Sequence, residues 1–282
     1  MTLTEALAFG QNILKQSPTP RLDARLLLQF VLGVGHSTLI AYGERPLTPD
    51  QQSTYTIFLE RAARGEPLPY ITGSAPFADF TLQVTPAVLI PRPETEELVE
   101  RVVAWAASRT KSKLRIADAG TGSGCIPIAL ARRLPKAQIC AGDISPEALD
   151  VARSNAARLT PGRIRFFEGH LLEPLPGPFD CITANLPYIS EDEWTRLDVG
   201  VKYYEPSLAL HGGVDGLELI RQLLKQAQTK CAPGARLYLE IGWRQGNAVR
   251  QLAAAAFPAA EIIIHPDLAG HDRIVELRTV NG

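Results

Sequence analysis

Leu114-Arg115-Ile116-Ala117-Asp118-Ala119-Gly120-Thr121-Gly122-Ser123-Gly124 decides the fold of this chain. Leu114–Ala119 reads as a short strand, and three glycines at alternate positions follow it. Glycine there lets the backbone turn tightly and come close to a ligand. The residues after Gly124 are predicted helical, so the loop opens a helix whose first N–H groups are offered to an anion. The spacing is G-x-G-x-G rather than the G-x-G-x-x-G of dinucleotide folds, and the loop alone does not separate the two.

Outward from this loop the pattern alternates. Further strands are predicted over Ala137–Asp143, Arg163–Glu168, Phe179–Ala184, Ala235–Ile241, Ala260–His265 and Arg273–Thr279, with helices after the first two strands and over Gly216–Lys230. Strand–helix alternation implies an α/β fold with a mostly parallel sheet covered on both faces. Pro266 to Asp272 is too short for a crossover helix, so the last two strands pair antiparallel. A seven-stranded, mostly parallel, Rossmann-like sheet with an antiparallel last strand resembles that of class I methyltransferases.

Upstream the period changes. Phe80, Leu82 and Val84 alternate with Thr81, Gln83 and Thr85 between Gly73, Pro76 and Pro86, an extended or hairpin linker over residues 75–93. Pro91-Arg92-Pro93 ends it and starts a helix. Glu94, Glu96 and Glu97 in its first turn suit the helix dipole, and Leu98, Val102 and Trp105 mark its buried face. Residues 1–74 read as a small bundle of about four helices. Thr2 with Glu5 and Thr48 with Gln51 have capping-box spacing, and Leu22, Leu26, Leu27, Phe30 and Val31 recur at helical spacing. The remainder, 94–282, is the α/β domain.

Composition excludes several classes. The 282 residues are 45% apolar and 21% charged, with net charge −1, an ordinary globular balance without the basic excess of a protein living on bulk nucleic acid. Cys125, Cys140, Cys181 and Cys231 have no C-x-x-C spacing and read as reduced, buried hydrophobes. The five histidines are scattered, so no metal site is expected. There is no signal-peptide pattern and no apolar run near the ~20 residues that span a bilayer. The chain is therefore expected in the cytoplasm, without direct nucleic-acid or membrane partners, and as a monomer.

Three features stand at the carboxyl ends of successive predicted strands, where open α/β sheets bind ligands. Asp143 ends the second strand, and its carboxylate can accept both hydroxyls of a ribose. Asp118, just before Gly120, Thr121, Gly122, Ser123 and Gly124, would hold an ammonium group and repel a pyrophosphate, which favours S-adenosylmethionine over a dinucleotide. Asn185-Leu186-Pro187-Tyr188 ends the fourth strand. An amide or exocyclic amine is a poor nucleophile because its lone pair is delocalised. The Asn185 side-chain oxygen and the Leu186 carbonyl can accept its two N–H groups and aim the lone pair at a methyl carbon. Pro187 stiffens the turn, and Tyr188 can stack on the planar group. This is catalysis by positioning.

The sequence resembles the peptide-chain release factor glutamine N5-methyltransferases over nearly its whole length. The most specific match is the linker: Tyr70-Ile71-Thr72-Gly73, Phe77, and Val88-Leu89-Ile90-Pro91-Arg92-Pro93-Glu94-Thr95-Glu96-Glu97-Leu98-Val99-Glu100. Glu205-Pro206-Ser207-Leu208-Ala209-Leu210 with Gly213, Asp215 and Gly216, and Glu240-Ile241-Gly242, support it. The resemblance implies that S-adenosylmethionine is the cofactor and that the partners are class I release factors. It implies that the glutamine of their Gly-Gly-Gln motif is methylated on its side-chain nitrogen, and that the helical domain helps dock them. By matching positions, Gly120 to Gly124 and Asp143 hold the cofactor, Leu171 lies against the adenine, Asn185 to Tyr188 hold the glutamine, and Arg92 and Thr95 line the pocket. Leu186 replaces the first proline of the usual N-P-P-Y, and His170 stands where an acidic residue is frequent. Adenine N6-methyltransferases of DNA share the Asn185 motif but must grip phosphates and flip a base. The same residues are also compatible with methylation of a glutamine in a ribosomal protein, and with a binding module that has the fold but no activity.

Overall fold

The computed structural model describes residues 1–109 and 113–280 and divides them into two compact units, residues 1–74 with 198–204, and residues 75–197 with 205–280. Asn281 and Gly282, the last positions of the expected α/β domain, and 110–112 lie outside the described residues.

The first unit is helical: α1 (Leu3–Ile13), α2 (Pro20–Leu32), α3 (His36–Ala41), α4 (Pro49–Ala63) and α5 (Leu68–Thr72). Both capping boxes form. Thr2 Oγ1 accepts from Glu5 N while Glu5 accepts from Thr2 N, and Thr48 and Gln51 do the same for α4. Ala24, Leu27 and Leu28 of α2 meet Leu3, Ala6, Tyr55, Leu59 and Ile71 in one core. Tyr55 donates its buried hydroxyl to the Ala24 carbonyl at 3.0 Å. A side chain on Gly10 would collide with that hydroxyl, so the glycine lets α1 and α4 close on each other. Leu22, Leu26 and Phe30 do not join this core; they form an exposed stripe on α2.

A hairpin follows, β1 (Ser74–Phe77) and β2 (Phe80–Gln83), which belongs to the second unit from Ala75 onward. Helix α6 (Pro93–Ala107) follows, with Leu98, Val102 and Trp105 buried. Then come β3 (Arg115–Ala119), α7 (Cys125–Arg133), β4 (Gln138–Asp143), α8 (Pro146–Leu159), β5 (Ile164–Glu168) and β6 (Phe179–Asn185). After the short helix α9 (Glu191–Trp194), α10 (Val199–Tyr204) belongs to the first unit. The chain returns with α11 (Glu218–Lys230), β7 (Cys231–Glu240), α12 (Gly246–Ala256), β8 (Glu261–Pro266) and β9 (Asp272–Arg278).

Seven of these strands form one sheet in the order β5-β4-β3-β6-β7-β9-β8. Pairs from β5 to β7 are parallel; β9 runs antiparallel to both β7 and β8, inserting between them. The fold is the Rossmann-like α/β sheet with an antiparallel last strand. β7 starts earlier than its apolar pattern, at Cys231, because Cys231 pairs with Phe179 before the register shifts. The strand order reverses at β3, with β4 on one side and β6 on the other, so a crevice opens at their carboxyl ends. The hairpin is tied to that crevice by Asn155 of α8. Its side chain accepts from Gln83 N at 2.8 Å and donates to the Gln83 and Ser123 carbonyls.

Candidate active site

A cavity of about 360 Å³ lies at the carboxyl ends of β3, β4 and β6, within the size range of small-molecule sites. Gly120, Thr121, Gly122, Ser123, Asp143, Leu171, Asn185, Leu186 and Pro187 line it, as do Arg92, Thr95 and His170. Asp118, Gly124 and Tyr188 do not reach its wall.

Several N–H groups of the glycine loop are taken up inside the protein. Gly120 and Thr121 donate their N–H groups to the Gly142 carbonyl, Gly122 to Asp143 Oδ2, and Gly124 to the Thr121 carbonyl. The Ser123 and Cys125 N–H groups at the helix start have no partner among the described residues. Beside them the site offers acceptors. Asp143 Oδ1 takes the Ser145 N–H at 3.0 Å and Oδ2 takes Gly122 at 2.8 Å. A carboxylate has about four acceptor sites, so about two remain for hydroxyls. Burial raises the Asp143 carboxyl above its ordinary value, and the backbone donors oppose the rise.

Asp118 lies behind the wall, fully buried. Thr183 Oγ1 donates to its Oδ1 at 2.7 Å, while among the described residues Oδ2 faces the Thr121 hydroxyl without a well-formed hydrogen bond. Burial pushes the carboxyl up to about 7; the Thr183 and Thr121 hydroxyls counter the rise and the Asp143 charge adds to it. A buried carboxyl with one oxygen poorly satisfied, next to a second carboxyl, suits a cationic ligand and disfavours a phosphate. These residues therefore fit S-adenosylmethionine, which carries an ammonium, a sulfonium and a ribose.

Gly124 has a different task. Its φ is +82°, and a Cβ there would sit 3.2 Å from Ile128 Cδ1 and 3.3 Å from Ala152 Cβ. It lets α7 start in a left-handed turn and pack on α8. Gly120 is also hemmed in, since a Cβ would meet Leu186 Cδ2 at 2.8 Å. The Leu186 side chain is thus buried in the core beneath the loop, and its backbone carbonyl makes no hydrogen bond among the described residues.

Asn185 donates Nδ2 to Thr95 Oγ1 at 3.1 Å, and its Oδ1 has no protein partner among the described residues. Thr95 donates in turn to Glu240 Oε2 at 2.7 Å. Tyr188 is half-buried, and burial pushes its hydroxyl up to about 12. Its carbonyl accepts from Gln245 Nε2 at 2.9 Å. A side chain on Gly212 would meet the Pro187 carbonyl at 2.6 Å, and one on Gly216 would collide with the Tyr188 carbonyl, so both glycines let the Asn185 turn lie backbone to backbone with this loop. Buried Glu205 accepts from Ile90 N and pairs with Arg92, which lines the cavity.

Sequence reasoning gave no role in the site to Glu240, Gln245 or Gly212. Glu240 carried a signal, as a carboxylate ending an otherwise apolar strand. Gln245 and Gly212 carried none, because their partners are backbone atoms distant in sequence. Leu171 sits at φ +52° and is buried against the cavity, while His170 on the rim contacts Gln226 and Glu173. All four cysteines are free, and no metal-binding cluster occurs among the described residues.

The sheet, the acceptor-rich loop and the held amide define a class I S-adenosylmethionine-dependent methyltransferase. Residues 5–73 match the PrmC N-terminal domain family and residues 116–198 a methyltransferase domain family. A release factor glutamine methyltransferase of Koribacter versatilis is 39% identical, covering 98% of each chain, and one of Moorella thermoacetica is 41% identical over 97% of each. A methyltransferase from Pyrococcus furiosus shares the fold at TM-score 0.53 and 15% identity, over 83% of this chain and 100% of that one. The chain belongs to the release factor glutamine methyltransferase family.

Proposed function

We infer that this protein transfers the methyl group of S-adenosylmethionine to the side-chain amide nitrogen of the glutamine in the Gly-Gly-Gln motif of class I release factors. The observation that carries this is Asn185. Its NH2 is committed to Thr95 while its carbonyl oxygen is free, on a residue that lines the cavity. A free acceptor there matches a substrate whose reacting group is an NH2.

Asp143, the 120–124 loop and Leu171 hold the cofactor, with Asp118 behind them supplying negative charge. When bound, the cofactor provides an electrophilic methyl on a sulfonium. Asn185 Oδ1 and the Leu186 carbonyl accept the two amide N–H groups and hold the nitrogen in line. The Tyr188 ring limits rotation of the planar group, and Pro187 keeps the turn rigid. Leu186, Leu208 and Ala209 give the cavity an apolar wall, and a docked substrate covering it dries the site, which favours a transition state in which charge is lost. Residues 1–74 form the docking domain, 75–93 the hairpin and linker, and 94–282 the catalytic domain. The release factor supplies the partner surface for a monomeric, cytoplasmic enzyme. No helix among the described residues is long and apolar enough to cross a membrane.

Incubation with methyl-labelled cofactor and a class I release factor tests this. Label is expected on the intact factor and is lost when the motif glutamine is changed to alanine. Equal labelling of both, or labelling of DNA instead, overturns the reading.

A further inference from the structure

Behind Asn185 lies a second layer that the transfer chemistry does not use directly. Thr95 and Glu240 are buried, at 1% and 2% exposure, so water does not compete for them. Asn185 and Glu240 are register partners at the carboxyl ends of β6 and β7, and Thr95 descends on both from the first turn of α6. The hydrogen bonds run in one direction, from Asn185 Nδ2 to Thr95 Oγ1 and from Thr95 Oγ1 to Glu240 Oε2.

A threonine hydroxyl has one proton. Once it is donated to a carboxylate, Thr95 can only accept from its other neighbour. That neighbour is then forced to show its NH2. The two ends of an amide have nearly the same shape, so packing does not choose between them; the hydrogen-bond chain does.

We propose that Thr95 and ionised Glu240 are positioning residues that lock the Asn185 amide with its oxygen toward the substrate. This rests on Asn185 being the acceptor for the substrate amide. A protonated Glu240 reverses the chain. Its carboxyl becomes a donor, Thr95 accepts from it and turns its own proton to Asn185, and Asn185 is satisfied by presenting its oxygen to Thr95. Its NH2 then faces the substrate NH2, donor against donor.

Burial pushes the Glu240 carboxyl up to about 7, the Thr95 hydroxyl and the Arg273 guanidinium counter the rise, Glu94 adds to it, and Asn185 lowers it again. The groups facing it are Thr95 and Glu94 of α6, Asn185 at the end of β6, Tyr188 after it, Arg273 of β9 and Cys125 of α7. Tyr188 and Cys125 are both pushed to about 12 and keep their protons near neutrality. A raised carboxyl is ionised above about 7 and protonated below it, so kcat falls as pH falls through about 7. Asp118 titrates in the same region, on the cofactor side. Measuring kcat at saturating cofactor separates the two.

The test compares wild type, Thr95→Val, Thr95→Ser and Glu240→Gln. Thr95→Val is expected to keep cofactor affinity, measured by calorimetry, within about twofold and to lose roughly tenfold in kcat, the worth of one hydrogen bond. Thr95→Ser restores kcat. Glu240→Gln removes the acid limb of the kcat profile. The Asn185 side-chain NH2 resonances, assigned by their loss in Asn185→Ala, should shift with a midpoint near 7 in wild type and not in Glu240→Gln. Wild-type kcat in Thr95→Val, equal impairment of the Val and Ser variants, or an acid limb that survives Glu240→Gln overturns the proposal. The resonance titration decides it even if wild type fails to methylate a release factor, a result that refutes the substrate reading separately.

Discussion

At the scale of single residues, the site reduces to one amide and two acceptors. In the proposed function, Asn185 supplies the acceptor, Leu186 supplies a backbone carbonyl, and both act by holding a weak nucleophile still. Asn185→Ala should therefore lower kcat by about 10²-fold or more, the cost of a lost alignment, while calorimetric cofactor affinity stays within a few-fold; normal turnover in that variant removes Asn185 from the chemistry. The identity of Asn185 and of the carboxylates at the strand ends was legible in the sequence, because each follows a recognisable apolar run. The partners of Asn185 were not. Thr95 lies 90 residues before Asn185, and Glu240 lies 145 residues after Thr95, and no local pattern records a hydrogen bond across that distance. Leu186 is divided in the same way. Its carbonyl follows from its place in the turn, but only packing shows that its side chain fills the space beneath Gly120.

At the scale of elements, the glycine loop shows how one motif holds residues with unlike duties. Gly122, with nothing within 4 Å of a Cβ, is open, Gly120 accommodates Leu186, and Gly124 accommodates Ala152 of α8. Gly124→Ala should lower stability by about 1–2 kcal/mol, since it combines a left-handed φ with tight contacts at the α7–α8 crossing; urea denaturation measures it, and an unchanged midpoint would show that the turn relaxes freely. The strand–loop–helix order was readable from the residue types. The direction of the loop's polarity was not, because it depends on which N–H groups the Gly142 carbonyl and the Asp143 carboxylate have already taken. That consumption leaves fewer donors for a phosphate, and the Asp118 and Asp143 carboxyls beside the loop favour a cationic cofactor over a pyrophosphate.

At the scale of the whole molecule, the helical unit presents what the catalytic one does not need. Leu22, Leu26 and Phe30 sit four residues apart on α2 with 40%, 43% and 47% exposure, an exposed apolar stripe. If this unit docks the release factor, Leu26→Asp raises KM for the intact factor roughly tenfold, about 1.4 kcal/mol of contact, and leaves KM for a short peptide carrying the motif unchanged; steady-state kinetics with the two substrates checks it, and an unaltered KM for the factor removes the stripe from the docking surface. The same helix shows where pattern reading stops. Helical spacing grouped Leu22, Leu26, Leu27, Phe30 and Val31, yet Leu27 alone of these is fully buried, with Ala24 and Leu28 beside it, because periodicity marks apolar positions without saying which neighbour arrives to cover them. By itself the sequence determined the alternation of strands and helices, the antiparallel end of the sheet, and the chemical types at the strand ends, since these depend on local periodicity and chain length. Tertiary structure alone decided which donors the loop has spent, what the Asn185 amide bonds to, and which glycines stand open and which face a neighbouring side chain. All of these are set by atoms that meet only after the sheet has assembled, where one buried proton has a single place to go.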